Sequence, residues 1–167
     1  AGRRAFKYVD GTMTSLGVLA GGSASIGYDV SSDGSVIVGY SDSTDGNRAF
    51  KYVDGTMTNL GVLAGGENSY GSYAVSASSD GSVIVGYSDS SAGRRAFKYV
   101  NGTMTSLGVL TGGSASVGYD VSSDGSVIVG YSGSTDGNRA FIYRNVMLDV
   151  TNTTTALATT GSQLHSI

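Results

Sequence analysis

Apolar and polar residues alternate along this chain in short runs cut by Asp-Gly or Asn-Gly pairs. In AFKYVDGTMTSL, Phe6 and Tyr8 alternate with Ala5, Lys7 and Val9, and Asp10-Gly11 then turns the chain. In GYDVSSDGSVIVGYS, Tyr28 and Val30 lead to Asp33-Gly34, and Val36, Val38 and Tyr40 return on one face. A period of two with β-branched and aromatic enrichment marks strands. Asp-Gly between two such runs predicts a tight hairpin, because both central residues of a type I′ turn need positive φ. The chain is therefore expected to be all-β and antiparallel.

The runs recur. RAFKYVDGTMTSLGVL begins at Arg4, returns at Arg48 and Arg95 and reappears altered at Arg139, at steps of 44, 47 and 44 residues. VSSDGSVIVGYS, around Asp33, Asp80 and Asp124, repeats at steps of 47 and 44, so the three-residue excess in GGENSYGSYAVSASSDG falls in a loop. Each unit of about 44 residues is a four-stranded meander, a to d, with tight a–b and c–d hairpins; the chain holds a c–d half unit and three full units, fourteen strands in all. Such units resemble propeller blades; a β-solenoid or prism and a β-trefoil are the alternatives. The repeats occupy 1–150. The chain starts at Ala1 inside a recurring motif, which reads as a fragment whose further blades lie before Ala1.

Composition narrows the chemistry. With no cysteine, disulfides, thiolate metal sites and thiol nucleophiles are excluded, and the single histidine, His165, leaves no triad within the repeats. The aspartates sit in identical turns, which does not suit the unlike carboxyl environments of glycoside cleavage. No enzyme and no cofactor is expected. The DSTDGN loop, with Asp42, Asp45 and Asn47, lacks the spacing and bidentate acid of an EF-hand. No apolar run reaches the roughly 18 residues of a spanning helix.

All ten lysines and arginines lie just before strand c or in the c–d hairpin. Arg4, Arg48, Arg95 and Arg139 fall at one repeat position, Lys7, Lys51 and Lys98 at another. Stacked units would turn these into rows fit to hold an anionic glycan or a cell-surface protein. Against this, edge lysines and arginines deter edge pairing and neutralise neighbouring aspartates, and a net charge of −3 argues against nucleic acid. Tyrosines are phased too: Tyr8, Tyr52, Tyr99 and Tyr143; Tyr28 and Tyr119; Tyr40, Tyr87 and Tyr131. They are expected to cover core edges. Phe6, Phe50, Phe97 and Phe141, with Met13, Met57, Met104 and Met147, are expected in the core.

After RAFIYRNVMLDV the pattern changes. TNTTTALATTGSQLHSI carries Val150, Leu157 and Leu164 seven apart, a weak stripe on a helix expected from near Asn152, in a linker over 151–167.

The units RAFKYVDGTMTSLGVLAGG and VSSDGSVIVGYS resemble the extracellular repeats named for a His-Ala-Phe motif, here with Arg-Ala-Phe at 4–6, 48–50, 95–97 and 139–141. The arginine in first place bars any role carried by that histidine. The tail is similar to the linker before the β-barrel of bacterial autotransporters with such repeats, a group that includes passengers of the Bartonella angiogenic factor type. The resemblance implies the C-terminal part of a passenger, displayed on or released from an outer-membrane barrel and directed at host or cell-surface partners. A structural spacer for an N-terminal functional region is the alternative role. Lack of cysteine and proline would suit a chain that crosses a membrane unfolded and refolds outside.

Overall fold

A computed structural model of the chain describes residues 2–67 and 71–150; the helix expected from Asn152 lies outside them. Fourteen strands form among the described residues. They are β1 (Ala5–Val9), β2 (Thr12–Gly17), β3 (Ser25–Val30), β4 (Val36–Ser41), β5 (Arg48–Val53), β6 (Thr56–Asn59), β7 (Ser72–Ala77), β8 (Val83–Ser88), β9 (Arg95–Val100), β10 (Thr103–Ser106), β11 (Ser116–Val121), β12 (Ile128–Ser134), β13 (Gly137–Tyr143) and β14 (Met147–Asp149). They make one two-stranded sheet, β1-β2, and three four-stranded antiparallel meanders, β3 to β6, β7 to β10 and β11 to β14. Each meander is one a–b–c–d unit, and the two-stranded sheet is a c–d half unit.

The first three c–d hairpins are the expected two-residue turns, and the fourth turns through Arg144, Asn145 and Val146. Asp10, Asp54 and Asn101 hold φ of 49°, 48° and 49°, each followed by a glycine at positive φ, as a type I′ turn requires. The a–b connections are different. Ser31 N–H bonds Val36 O (2.8 Å) across a four-residue loop, Gly34 N–H bonds Ser31 O, and Gly34 alone takes positive φ. Asp33 acts here through its carboxylate, whose Oδ1 accepts from Ser31 Oγ (2.6 Å), Ser35 N–H (3.0 Å) and Ser35 Oγ (2.8 Å). Those bonds favour the ionised form, the Ser31 hydroxyl foremost, and hold the Asp33 carboxyl at about 2. Asp80 and Asp124 repeat the arrangement and are also lowered to about 2.

Strand a carries a bulge in every unit, at Gly27/Asp29, Ala74/Ser76 and Gly118/Asp120. Opposite it, strand b has glycine. A Cβ on Gly39, Gly86 or Gly130 would lie 1.9–2.0 Å from the carbonyl oxygen of Ile26, Tyr73 or Val117. The glycine of VIVGYS thus answers to a close backbone approach.

The blades stack face to face, so strands b and c are covered on both sides. Val36, Val38, Leu60, Leu63, Ala74, Ile84 and Phe97 form one core between the first two full blades, and Val85, Val121, Ile128 and Phe141 form the next. The one-face alternation read for strand b holds only where a neighbour is missing: Val38 and Val85 are fully buried, whereas Val129 in the last blade is 39% exposed. For the same reason Phe50, Phe97 and Phe141 are core as expected, while Phe6 and Met13 are exposed. Met57, Met104 and Met147 are half-buried against the cores.

Buried serines fasten blade to blade. Ser25 Oγ donates to Gly17 O (2.5 Å) and accepts from Ala5 N–H (3.0 Å), tying strands c and d of one unit to strand a of the next. Ser72 and Ser116 do the same with Gly61 and Ala49, and with Gly108 and Ala96. Ser41, Ser88 and Ser132, closing each strand b, accept from Leu19, Leu63 and Leu110 N–H in the d–a loop. At the opposite end the a–b turns are laced by Ser32 N–H to Ser79 O (3.1 Å) and Ser79 N–H to Ser123 O (3.0 Å).

Candidate functional site

The phased cations converge on the end of the blades where the b–c and d–a loops meet. Arg4, Arg48 and Arg95 enter strand c there, and each guanidinium is engaged with backbone carbonyls. Arg95 Nη1 donates to Arg94 O (2.9 Å) and Ser114 O (2.7 Å), Arg48 to Asn47 O (2.9 Å) and Glu67 O (3.3 Å), and Arg4 to Arg3 O and Ser23 O. The second carbonyl lies 19 residues ahead in each case, in the d–a loop that begins the next blade. Arg139 Nη1 reaches Asn138 O (3.4 Å), and the position 19 residues ahead of it lies outside the described residues. Arg4, Arg48 and Arg95 are therefore inter-blade clasps. Arg48 is only 4% exposed, which removes it from any surface row.

The lysines lie further along strand c. Lys7 is exposed, Lys51 is half-buried, and Lys98 Nζ sits 5.4 Å from the Tyr143 ring centroid of the next blade. A cation over an aromatic face is a weak local contact of this kind.

Beside the loops runs a ladder of four tyrosines. Tyr28 to Tyr40, Tyr40 to Tyr73 and Tyr73 to Tyr87 have ring centroids 5.8, 4.8 and 4.8 Å apart, and the Arg94 guanidinium lies 5.1 Å from the Tyr87 centroid. Asn47 Nδ2 donates to the Tyr73 hydroxyl (2.7 Å). Partial burial, then the neighbouring phenols, push the Tyr28 and Tyr87 hydroxyls above their usual value of 10.0. Tyr73 bridges the two blades, yet it belongs to none of the phased rows: it takes the place of Ile26 and Val117 after the three-residue insertion. Where Val117 stands instead, the ladder stops, and Tyr119 pairs with Tyr131 (5.8 Å) within its own blade.

The acidic groups at this end serve the loops as well. Asp42 accepts from Ser23 N–H (2.7 Å), Ala24 N–H (2.7 Å) and Ser23 Oγ (2.6 Å), and these bonds, the Ser23 hydroxyl foremost, lower its pKa. Asp89, at the same repeat position, instead faces Arg94 Nε at 3.6 Å. Among the described residues no group of three metal-ligating side chains forms, and no helix is long and apolar enough to cross a membrane.

Four-stranded meanders stacked face to face, with strand a of each against the preceding unit, are a blade arrangement. TolB from Acinetobacter baumannii has a similar structure: TM-score 0.56 over 83% of this chain at 17% identity, this chain spanning 34% of that one. The fold is propeller-like. The likeness concerns fold and nothing further. No family model and no curated protein matches the chain.

Proposed function

We propose that the chain is a non-enzymatic blade module of an extracellular bacterial passenger, and that the blades act as a scaffold. One observation carries this reading: the phased arginines and serines, the residues with most chemistry to offer, are occupied in clasps repeated between successive blades. Two carbonyls take two of the five N–H donors of a guanidinium and fix the side chain along the seam between blades. The surface-display setting rests on the repeat resemblance and on the absence of cysteine.

A second reading, binding of a host cell-surface protein or anionic glycan, is favoured by the tyrosine ladder and by Arg94, 41% exposed beside it. Arg95→Ala and Arg94→Ala separate the two. On the scaffold reading Arg95→Ala lowers the melting temperature and both variants leave heparin retention unchanged. On the binding reading both lower heparin retention and leave melting in place.

A further inference from the structure

A pocket of about 510 Å³ opens between the second and third full blades, at the end away from the arginine clasps. Lys98 of β9 lines one wall, and Ser126, Val127, Tyr143, Arg144 and Asn145 of the last blade line the other. Both walls come from complete four-stranded meanders. The chain leaves the last blade from the opposite end of β13, where Val150 N–H bonds Ala140 O (3.1 Å).

A local departure from the repeat makes this pocket. The residue after the tyrosine of strand c is Val9, Val53 and Val100 in the earlier units and Arg144 in the last. Val53 and Val100 pair with Val36 and Val83 of strand b and with Thr56 and Thr103 of strand d, closing the end of the sheet. In the last blade both ladders stop one residue earlier, at Tyr143, which pairs with Ile128 and Met147. The turn takes Asn145 to φ 69° and leaves Arg144 exposed beyond the sheet. Across from it, Lys98 Nζ is held 5.4 Å from the Tyr143 ring centroid. Among the described residues neither cation forms an ion pair, and the Arg144 guanidinium and Asn145 amide have no hydrogen-bond partner. The acid of the adjoining turn, Asp124, is drawn into its own loop by Ser122 Oγ (2.6 Å), Ser126 N–H (3.0 Å) and Ser126 Oγ (2.8 Å).

We propose that this pocket binds a sugar carrying a single oxyanion group, a sulfate, phosphate or carboxylate. Two cations on one concavity without a counter-charge attract an anion, and the fork of a guanidinium matches an oxyanion with two parallel N–H donors. Arg144 and Lys98 take the oxyanion, and the Asn145 amide and Tyr143 hydroxyl take ring hydroxyls. The volume lies within the roughly 300–1,000 Å³ of small-ligand sites, which leaves room for a ring beside the anion. The site shares no residue with the arginine clasps or the tyrosine ladder, so it stands on either reading of the blades.

The test is an NMR titration of the full chain with glucose 6-sulfate, glucose 6-phosphate and glucuronate, with glucose and inorganic sulfate as controls. The expected result is saturable one-to-one binding of at least one anionic sugar, with the largest amide shifts at 125–128 and 143–146. The tightest of the three identifies the oxyanion. Arg144→Val restores the residue of the other units; it should weaken binding about tenfold or more and leave melting unchanged. Asn145→Asp, which places the Asp10 and Asp54 residue at this turn, should abolish binding by setting a carboxylate at the pocket. Absence of saturable shifts with all three sugars overturns the proposal, as does equal binding of glucose or binding that both variants leave intact. Inorganic sulfate bound as tightly as the sugars overturns it too, since the site would then serve a free oxyanion.

Discussion

Residues 4–14 and 48–58 have the same sequence, RAFKYVDGTMT, and live in different surroundings. Their hairpins agree closely: Asp10 and Asp54 take φ of 49° and 48°, and Tyr8 faces Met13 as Tyr52 faces Met57. Their burial does not. Phe6 is 54% exposed and Phe50 fully buried; Tyr8 is 64% exposed and Tyr52 only 8%. Local chemistry builds the hairpin in both places, and a b strand with a neighbouring blade turns one of them into core. In a stacked-repeat protein stability is accordingly shared between units and their interfaces.

The comparison can be broken most forcefully at the phenylalanines. Phe50→Ala should cost about 3–5 kcal/mol in urea unfolding, and Phe6→Ala within about 0.5 kcal/mol. Equal costs would mean that β1 is covered in solution. Next come the glycines of strand a: Gly118→Val should cost about 3 kcal/mol by forcing Gly86 away, and Gly27→Val within about 0.5 kcal/mol. The serine clamps sharpen the picture. Ser72→Ala strands the buried Ala49 N–H and the Gly61 carbonyl and should cost about 2 kcal/mol. Ser25→Ala should release chiefly β1 and β2, visible as faster amide exchange confined to residues 5–17.

The smallest effect is a control in which position in the stack should not matter. Asp33, Asp80 and Asp124 are held at about 2 against 3.8 by bonds within their own turns. A depressed carboxyl contributes stability above its unfolded value and loses it as pH falls through its folded one. All three turns should therefore weaken together between about pH 4 and pH 2. Carboxyl carbon NMR titration should give three nearly equal midpoints, and a spread of more than about one unit would show that neighbouring blades enter.

Several features were legible before any coordinates. The period of two, the Asp-Gly pairs and the 44-residue step led to fourteen strands in four-stranded antiparallel units of blade type. Others were misread for identifiable reasons. Asp33-Gly34 resembles Asp10-Gly11 in sequence, yet the flanking Ser31 and Ser35 supply hydroxyls that hold a longer loop. The arginine rows are a separate case: repeat spacing reveals their equivalence but not the carbonyl that Arg4, Arg48 and Arg95 each meet 19 residues ahead, and their service to a partner is left to the heparin test. Tyr73 escaped notice because its equivalents in the other units, Ile26 and Val117, are not tyrosines, so it belongs to no repeated row.

The sequence by itself determined what depends on neighbours within a few residues: strand alternation, turn conformation and the carboxylate-braced loops. Those follow from φ preferences and short hydrogen bonds that each segment carries with it. Only the tertiary structure decided which copy of a motif is buried, which arginine becomes a clasp and where an edge stands open. The reason is that burial is a relation between units, and identical residues reach different ends when one has a blade packed against it and the other does not.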